Sequence, residues 1–166
     1  MTQELLIHPE RLSEKPLVFE GRMDIGEFPR LAEALATPEI DLTYKVTARL
    51  DKQRRKVVSC IIEGFVFLTC QTTLEDFRHG ISIDERLVLV DDESGLPPIQ
   101  EESDAEDYLV ADGPVDVLDL VEDAVLLALP MVPRKPGVGE AHVELKAQGV
   151  GESPFAALAG LKKRNE

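Results

Sequence analysis

Between Leu42 and Asp51 the chain alternates without a break. Leu42, Tyr44, Val46, Ala48 and Leu50 are apolar, and Thr43, Lys45, Thr47, Arg49 and Asp51 between and after them are polar or charged. Successive side chains of a strand point to opposite faces, so a period of two over this length requires a strand with one buried and one wet face. Strands of parallel sheets are covered on both faces and read as continuous apolar runs. The alternation therefore selects an antiparallel sheet that is open to water on one side.

Its neighbours fit that choice. Leu17 to Arg22 reads as an earlier strand, and Phe28 to Ala36 as a short helix with Pro29 in its first turn and Thr37-Pro38 as its stop. A polar, basic turn from Asp51 to Arg55 leads into Lys56 to Ile62; Gly64 interrupts that run as a turn or bulge, and Phe65 to Cys70 resumes it. Phe77, His79, Ile81 and Ile83 share a further strand face, and Leu87 to Val90 continues it or begins another. The middle of the chain is thus expected to be an antiparallel meander of four or five strands.

The stretch from Val115 to Pro133 changes period. Asp116 is placed to cap a helix with Asp119 in its acidic first turn, and Pro130 and Pro133 end it. Leu118, Val121, Val125 and Leu129, flanked by Leu120 and Leu127, form a wide apolar face, and Asp116, Asp119, Glu122 and Asp123 form the polar one. Such a helix packs on a sheet. The fold expected is α+β: an antiparallel meander with the helix Val117 to Leu129 on one face.

Charge divides the chain. Between Asp91 and Asp123 stand 13 acidic residues with no Lys or Arg, while the rest holds 19 acidic and 18 basic residues. The net charge of -14 therefore belongs to one arm, and the near-neutral remainder keeps basic regions of its own. Residues 91–107, with Gly95, Pro97 and Pro98, read as an acidic mobile loop. The organisation expected is a single domain over 1–133, a flexible linker over 134–152 and a short basic and apolar tail over 153–166. No run reaches the roughly 18 apolar residues of a membrane span. The first residues lack the basic start and apolar run of a signal peptide, so the cytoplasm is expected and no membrane partner is.

Three blocks carry a family resemblance. One is Gly64-Phe-Val-Phe-Leu-Thr-Cys-Gln-Thr-Thr73, followed by Phe77 and His79. The second is the helix, with Glu122-Asp123 and then Leu-Ala-Leu-Pro130. The third is Ser153-Pro-Phe-Ala-Ala-Leu-Ala-Gly-Leu-Lys-Lys-Arg164. In this order they resemble the YceD family, the bacterial large ribosomal RNA subunit accumulation proteins. Cys70, Gln71, Glu122, Asp123 and Pro130 are the positions matching the family's wording. The resemblance implies a cytoplasmic, non-catalytic protein that supports accumulation of large-subunit ribosomal RNA by binding that RNA or a pre-ribosomal particle.

The family's Cys-x-x-Cys has Thr73 in its second place here, a poor zinc ligand; Cys60 would reach Cys70 only across a hairpin at Gly64, and two thiols with His79 fall short of a structural site. No metal or cofactor is expected. No nucleophile elbow, phosphate loop or paired-carboxylate spacing is present, so no enzyme is expected. Lys45 and Arg49 on the wet strand face, with Lys52, Arg54, Arg55 and Lys56 in the following turn, form a cluster suited to phosphates; a solvated hairpin end explains it equally well. In the tail, Phe155, Leu158 and Leu161 at helical spacing, followed by Lys162, Lys163 and Arg164, suit a segment that orders on a partner. The competing function is an adaptor that holds a basic ribosomal protein or processing factor through the acidic arm and this tail. The oligomeric state is not legible.

Overall fold

The computed structural model describes residues 5–98 and 106–138. Its elements are β1 (Leu6–Ile7), β2 (Leu17–Arg22), α1 (Pro29–Ala34), β3 (Asp41–Leu50), β4 (Lys56–Thr69), β5 (Asp76–Val90), β6 (Asp107–Val110), β7 (Val115–Asp116) and α2 (Val117–Ala128). The main sheet has five strands in the order β2-β3-β4-β5-β6, and β1 pairs with β7 in a separate two-stranded ladder. The fold is α+β with a dominant antiparallel sheet and one main helix, as expected.

β3 carries the alternation into space. Leu42, Val46 and Ala48 are fully buried and Tyr44 nearly so, while Thr43, Lys45 and Arg49 are exposed. β4 does not stop at Gly64. It runs straight through with Val58, Cys60, Ile62, Val66 and Leu68 on the buried face. Gly64 has φ +140°, and a Cβ there would lie 1.8 Å from the carbonyl oxygen of Asp41. The glycine is thus a close-approach position within a continuous strand, and it makes no hairpin. β5 is likewise one strand of 15 residues. Its ladder with β4 runs from Lys56 opposite Leu89 to Thr69 opposite Asp76.

The last pair departs from a pure meander, because β6 lies parallel to β5, with Leu87 opposite Asp107 and Val90 opposite Val110. The chain leaves β5 at Val90 and travels to Asp107 before pairing. That length suits the crossover a parallel pair needs and a tight hairpin does not.

α2 covers the buried face against β4, β5 and α1. Asp116 caps it as its spacing suggests, accepting from the N–H groups of Leu118 (2.8 Å) and Asp119 (3.4 Å). Val117, Val121 and Val125, one turn apart, are fully buried; each such side chain contributes about 1.5–3 kcal/mol. Two expectations for this helix fail. Leu127 is 83% exposed, and Glu122 is 3% exposed. Glu122 turns inward toward α1 because its carboxylate accepts from the backbone N–H of Leu31 (2.9 Å) and from Arg30 Nε (2.8 Å). A buried carboxylate is tolerated only when paired in this way.

Candidate functional site: the basic end of the β3–β4 hairpin

The turn between β3 and β4 is built by Asp51. Its carboxylate accepts from the N–H groups of Gln53 (2.9 Å) and Arg55 (2.8 Å), and its own N–H is bonded to the carbonyl of Arg55 (3.0 Å). Arg54 closes the turn at φ 61°, in the left-handed region. Burial works against the Asp51 carboxylate, but the Arg55 N–H, the Arg55 guanidinium and the Gln53 N–H outweigh it and hold it below its usual range.

The six cations expected here fall into distinct settings. Arg55 is half-buried and bound internally: its Nε lies 2.8 Å from Asp51, and its terminal nitrogens lie 3.0 and 3.3 Å from the two Glu106 oxygens. Arg86 joins from β5, with Nε 2.9 Å from Glu106 and a terminal nitrogen 3.6 Å from Asp51. That Nε makes an ion pair by distance without an aligned hydrogen bond. Two cations and two anions thus form a self-compensated cluster tying the turn to β5 and to the start of β6. Lys56 is paired with Asp91.

Arg49, Lys52, Arg54 and Lys45 are exposed and make no ion pair among the described residues. Arg49 and Lys52 line one open basin of about 610 Å³ with Glu14, Asp51, Arg55 and Arg86. Arg54 faces the neighbouring hollow toward Tyr108. Lys45 stands apart, directly opposite Glu20 of β2 and near Glu63. The structure therefore brings Arg49, Lys52 and Arg54 to one end of the hairpin, while Arg55 and Lys56 serve the fold. Arg30, Arg86 and Glu106 were missed in the sequence; nothing in their spacing pairs residues so far apart. Tyr108 of β6 borders the hollow beside Arg54, and the aromatic rings along β4 lie away from the turn. Phe65 and Phe67 meet edge to face at 5.8 Å, with Arg78 stacked 3.8 Å above Phe65.

The other motif positions are structural in setting. Cys70 is fully buried, and its Sγ accepts from the N–H of Lys135 at 3.3 Å. That N–H, with the Thr73 hydroxyl and the N–H groups of Thr73 and Thr72, draws the thiol down to about 6. Gln71 gives its N–H to the carbonyl of Pro133 (2.9 Å), so the segment after α2, beginning at half-buried Pro130, is fastened to the β4–β5 turn. Asp123 is exposed and holds Arg30 at 2.6 Å. Cys60 lies mid-strand in β4, ten positions from Cys70 along one extended segment, so the two thiols do not meet. Burial, with Glu85 adding its charge, pushes Cys60 up to about 12. Among the described residues no three His, Cys, Asp or Glu side chains converge on a metal-sized position, and no helix is long and apolar enough to cross a membrane. Phe155, Leu158, Leu161, Lys162, Lys163 and Arg164 lie outside the described residues.

Comparison with known proteins identifies the wording of these motifs. A family model described as large ribosomal RNA subunit accumulation protein YceD matches residues 58–162. The large ribosomal RNA subunit accumulation protein YceD of Haemophilus influenzae is 27% identical over 174 residues, covering 96% of each chain. No solved structure matches. The match runs through most of β4, all of β5 and α2, and includes Cys70, Gln71, Glu122, Asp123 and Pro130, and the chain belongs to the YceD family.

Proposed function

We propose that this protein acts without catalysis, in the cytoplasm, by binding large-subunit ribosomal RNA or a pre-ribosomal particle through the basic end of the β3–β4 hairpin. The observation that carries this reading is the grouping of Arg49, Lys52 and Arg54. They are exposed at one hairpin end with no carboxylate partner among the described residues, while the cations beside them are neutralised within the fold. Unpaired cations on an open surface suit phosphate contacts, which release counterions and carry little sequence information. Phosphate contacts by these cations read backbone and shape more than bases. The family's name, large ribosomal RNA subunit accumulation protein, supports the RNA as the target.

The test is a triple variant, Arg49→Ala, Lys52→Ala and Arg54→Ala, titrated against a large-subunit rRNA transcript at several salt concentrations. Binding should weaken, and the slope of log affinity against log salt should fall by roughly 2–3, close to one unit per lost phosphate contact. Arg55→Ala serves as the contrast: it breaks the Asp51–Glu106 cluster and should act first on stability. Unchanged affinity and slope in the triple variant refute the assignment.

A further inference from the structure

A second surface is opposite in charge to the basic turn. Between β6, the loop that follows it and α2 runs an open groove of about 690 Å³. Six carboxylates line it: Glu85, Asp107, Asp112, Asp116, Asp119 and Asp123. No Lys or Arg does. Asp116 is occupied as the cap of α2 and Asp123 by Arg30, which leaves Glu85, Asp107, Asp112 and Asp119 without an ion pair among the described residues. Glu85 is half-buried, and burial together with the charge of Asp107 raises its pKa. Like charges gathered beside apolar surface are costly unless a cation joins them.

The groove is also apolar. Leu109 and Val110 on β6 are 36% and 42% exposed, and Leu127 on α2 is 83% exposed on its rim. Large side chains presented along one groove mark an interaction surface more than a solvated face. β6 is the last strand of its sheet, and no further strand pairs with it among the described residues. Its sequence, Asp107-Tyr-Leu-Val110, has none of the lysines or prolines that usually guard an edge.

We propose that this groove docks a lysine- and arginine-bearing polypeptide segment of another protein, with apolar side chains between its charges. Phosphate chains are repelled by this surface. A bare metal ion would need ligands converging on one point, which the described residues do not offer. A cationic segment meets all three features at once: its charges face the unpaired carboxylates, its apolar residues cover Leu109, Val110 and Leu127, and its backbone can add to the β6 edge. The proposal goes beyond the RNA reading and does not depend on it.

The probe is a fluorescent synthetic peptide of alternating lysine and leucine, followed by anisotropy against the full chain. Glu85→Gln, Asp107→Asn and Asp119→Asn together should weaken binding at least about tenfold and flatten its salt dependence. A control, Glu20→Gln, Glu33→Gln and Glu39→Gln, removes as many charges from exposed positions elsewhere and should leave affinity unchanged. Leu127→Ser, at a side chain too exposed to matter for folding, should also weaken the leucine-bearing peptide, and it keeps the test decisive if the groove triple does not fold. Equal losses in the two triples, or equal binding of a lysine-serine peptide, would mean attraction to net charge alone and overturn the proposal. So would a dimer in sedimentation that the groove triple dissociates, because the occupant would then be a second copy of this chain. Binding of the rRNA transcript should be no weaker in the groove triple, which separates failure here from failure of the hairpin reading.

Discussion

Glu122→Ala should be the most destabilising single change on the polar side of α2. The carboxylate is 3% exposed and accepts two hydrogen bonds, from the Leu31 N–H at 2.9 Å and from Arg30 Nε at 2.8 Å. Leu31 is fully buried and lies at the third position of α1, where a helical N–H has no partner within its own helix. Alanine deletes a hydrogen bond to a charged group and leaves that N–H buried and unsatisfied. The loss is about 2–4 kcal/mol. For a domain of this size it corresponds to a fall in Tm of roughly 5–15 °C. Glu122→Gln keeps an acceptor oxygen for the Leu31 N–H and should lose less than half as much. Asp123→Ala, one residue on, removes only an exposed partner of Arg30 and should change Tm little, because water and salt screen such a pair. Thermal and urea unfolding of the three variants decides the matter. If Glu122→Ala unfolds with the same midpoint as Asp123→Ala, the buried bridge does not fasten α1 to α2 and the reasoning is wrong.

Three further outcomes are expected. Gly64→Ala should destabilise by more than about 1–3 kcal/mol, since it demands a left-handed φ of an L residue and drives its Cβ into the carbonyl of Asp41; a variant as stable as the parent in urea refutes the close approach. Asp116→Ala should lower stability by about 1 kcal/mol through loss of the cap, with a matching small loss of helical circular dichroism, and no loss would mean the cap is idle. Cys70 has a folded pKa of about 6 against an ordinary 9.0, so its ionised form favours the fold. Its contribution is full above pH 9, shrinks as pH falls and is gone below about 6; the stability gap between wild type and Cys70→Ser should therefore widen from pH 6 to 9, and a constant gap refutes the thiolate.

The parts of this molecule governed by local rules were legible. β3 was read from its alternation, and α2 from its cap and prolines, because both signals lie within a single element. What escaped was set by residues distant in sequence. Glu122 reads as one more carboxylate on a wet helix face, and only Arg30 and the Leu31 N–H, brought up by α1, make its burial affordable. Leu127 reads as core, but it is 83% exposed on the rim of the groove between α2 and β6. The sequence leaves open whether Leu87 to Val90 continues the strand of Phe77 to Ile83, and the ladder with β4 makes them one strand. The same holds for the site. Six cations could be counted in the sequence, but that two are spoken for depends on Asp91, just after β5, and Glu106, just before β6.

The pairing of β1 with β7 has a consequence for the order in which the molecule is made. β2 to β5 each pair with the next strand along the chain, so that ladder can form as it is synthesised. Leu6 and Ile7 must wait for Asp116 and Val115, and the N–H of Val117, the first residue of α2, is bonded to the carbonyl of Leu5. The start of the chain and the start of the main helix are therefore joined in a late event, over a meander already standing. A nascent chain halted before Val115 would hold an assembled ladder with its apolar face bare. Hydrogen exchange on the finished protein should read the same history backwards, with the central amides of β4 slowest and the Val117 amide among the first to open.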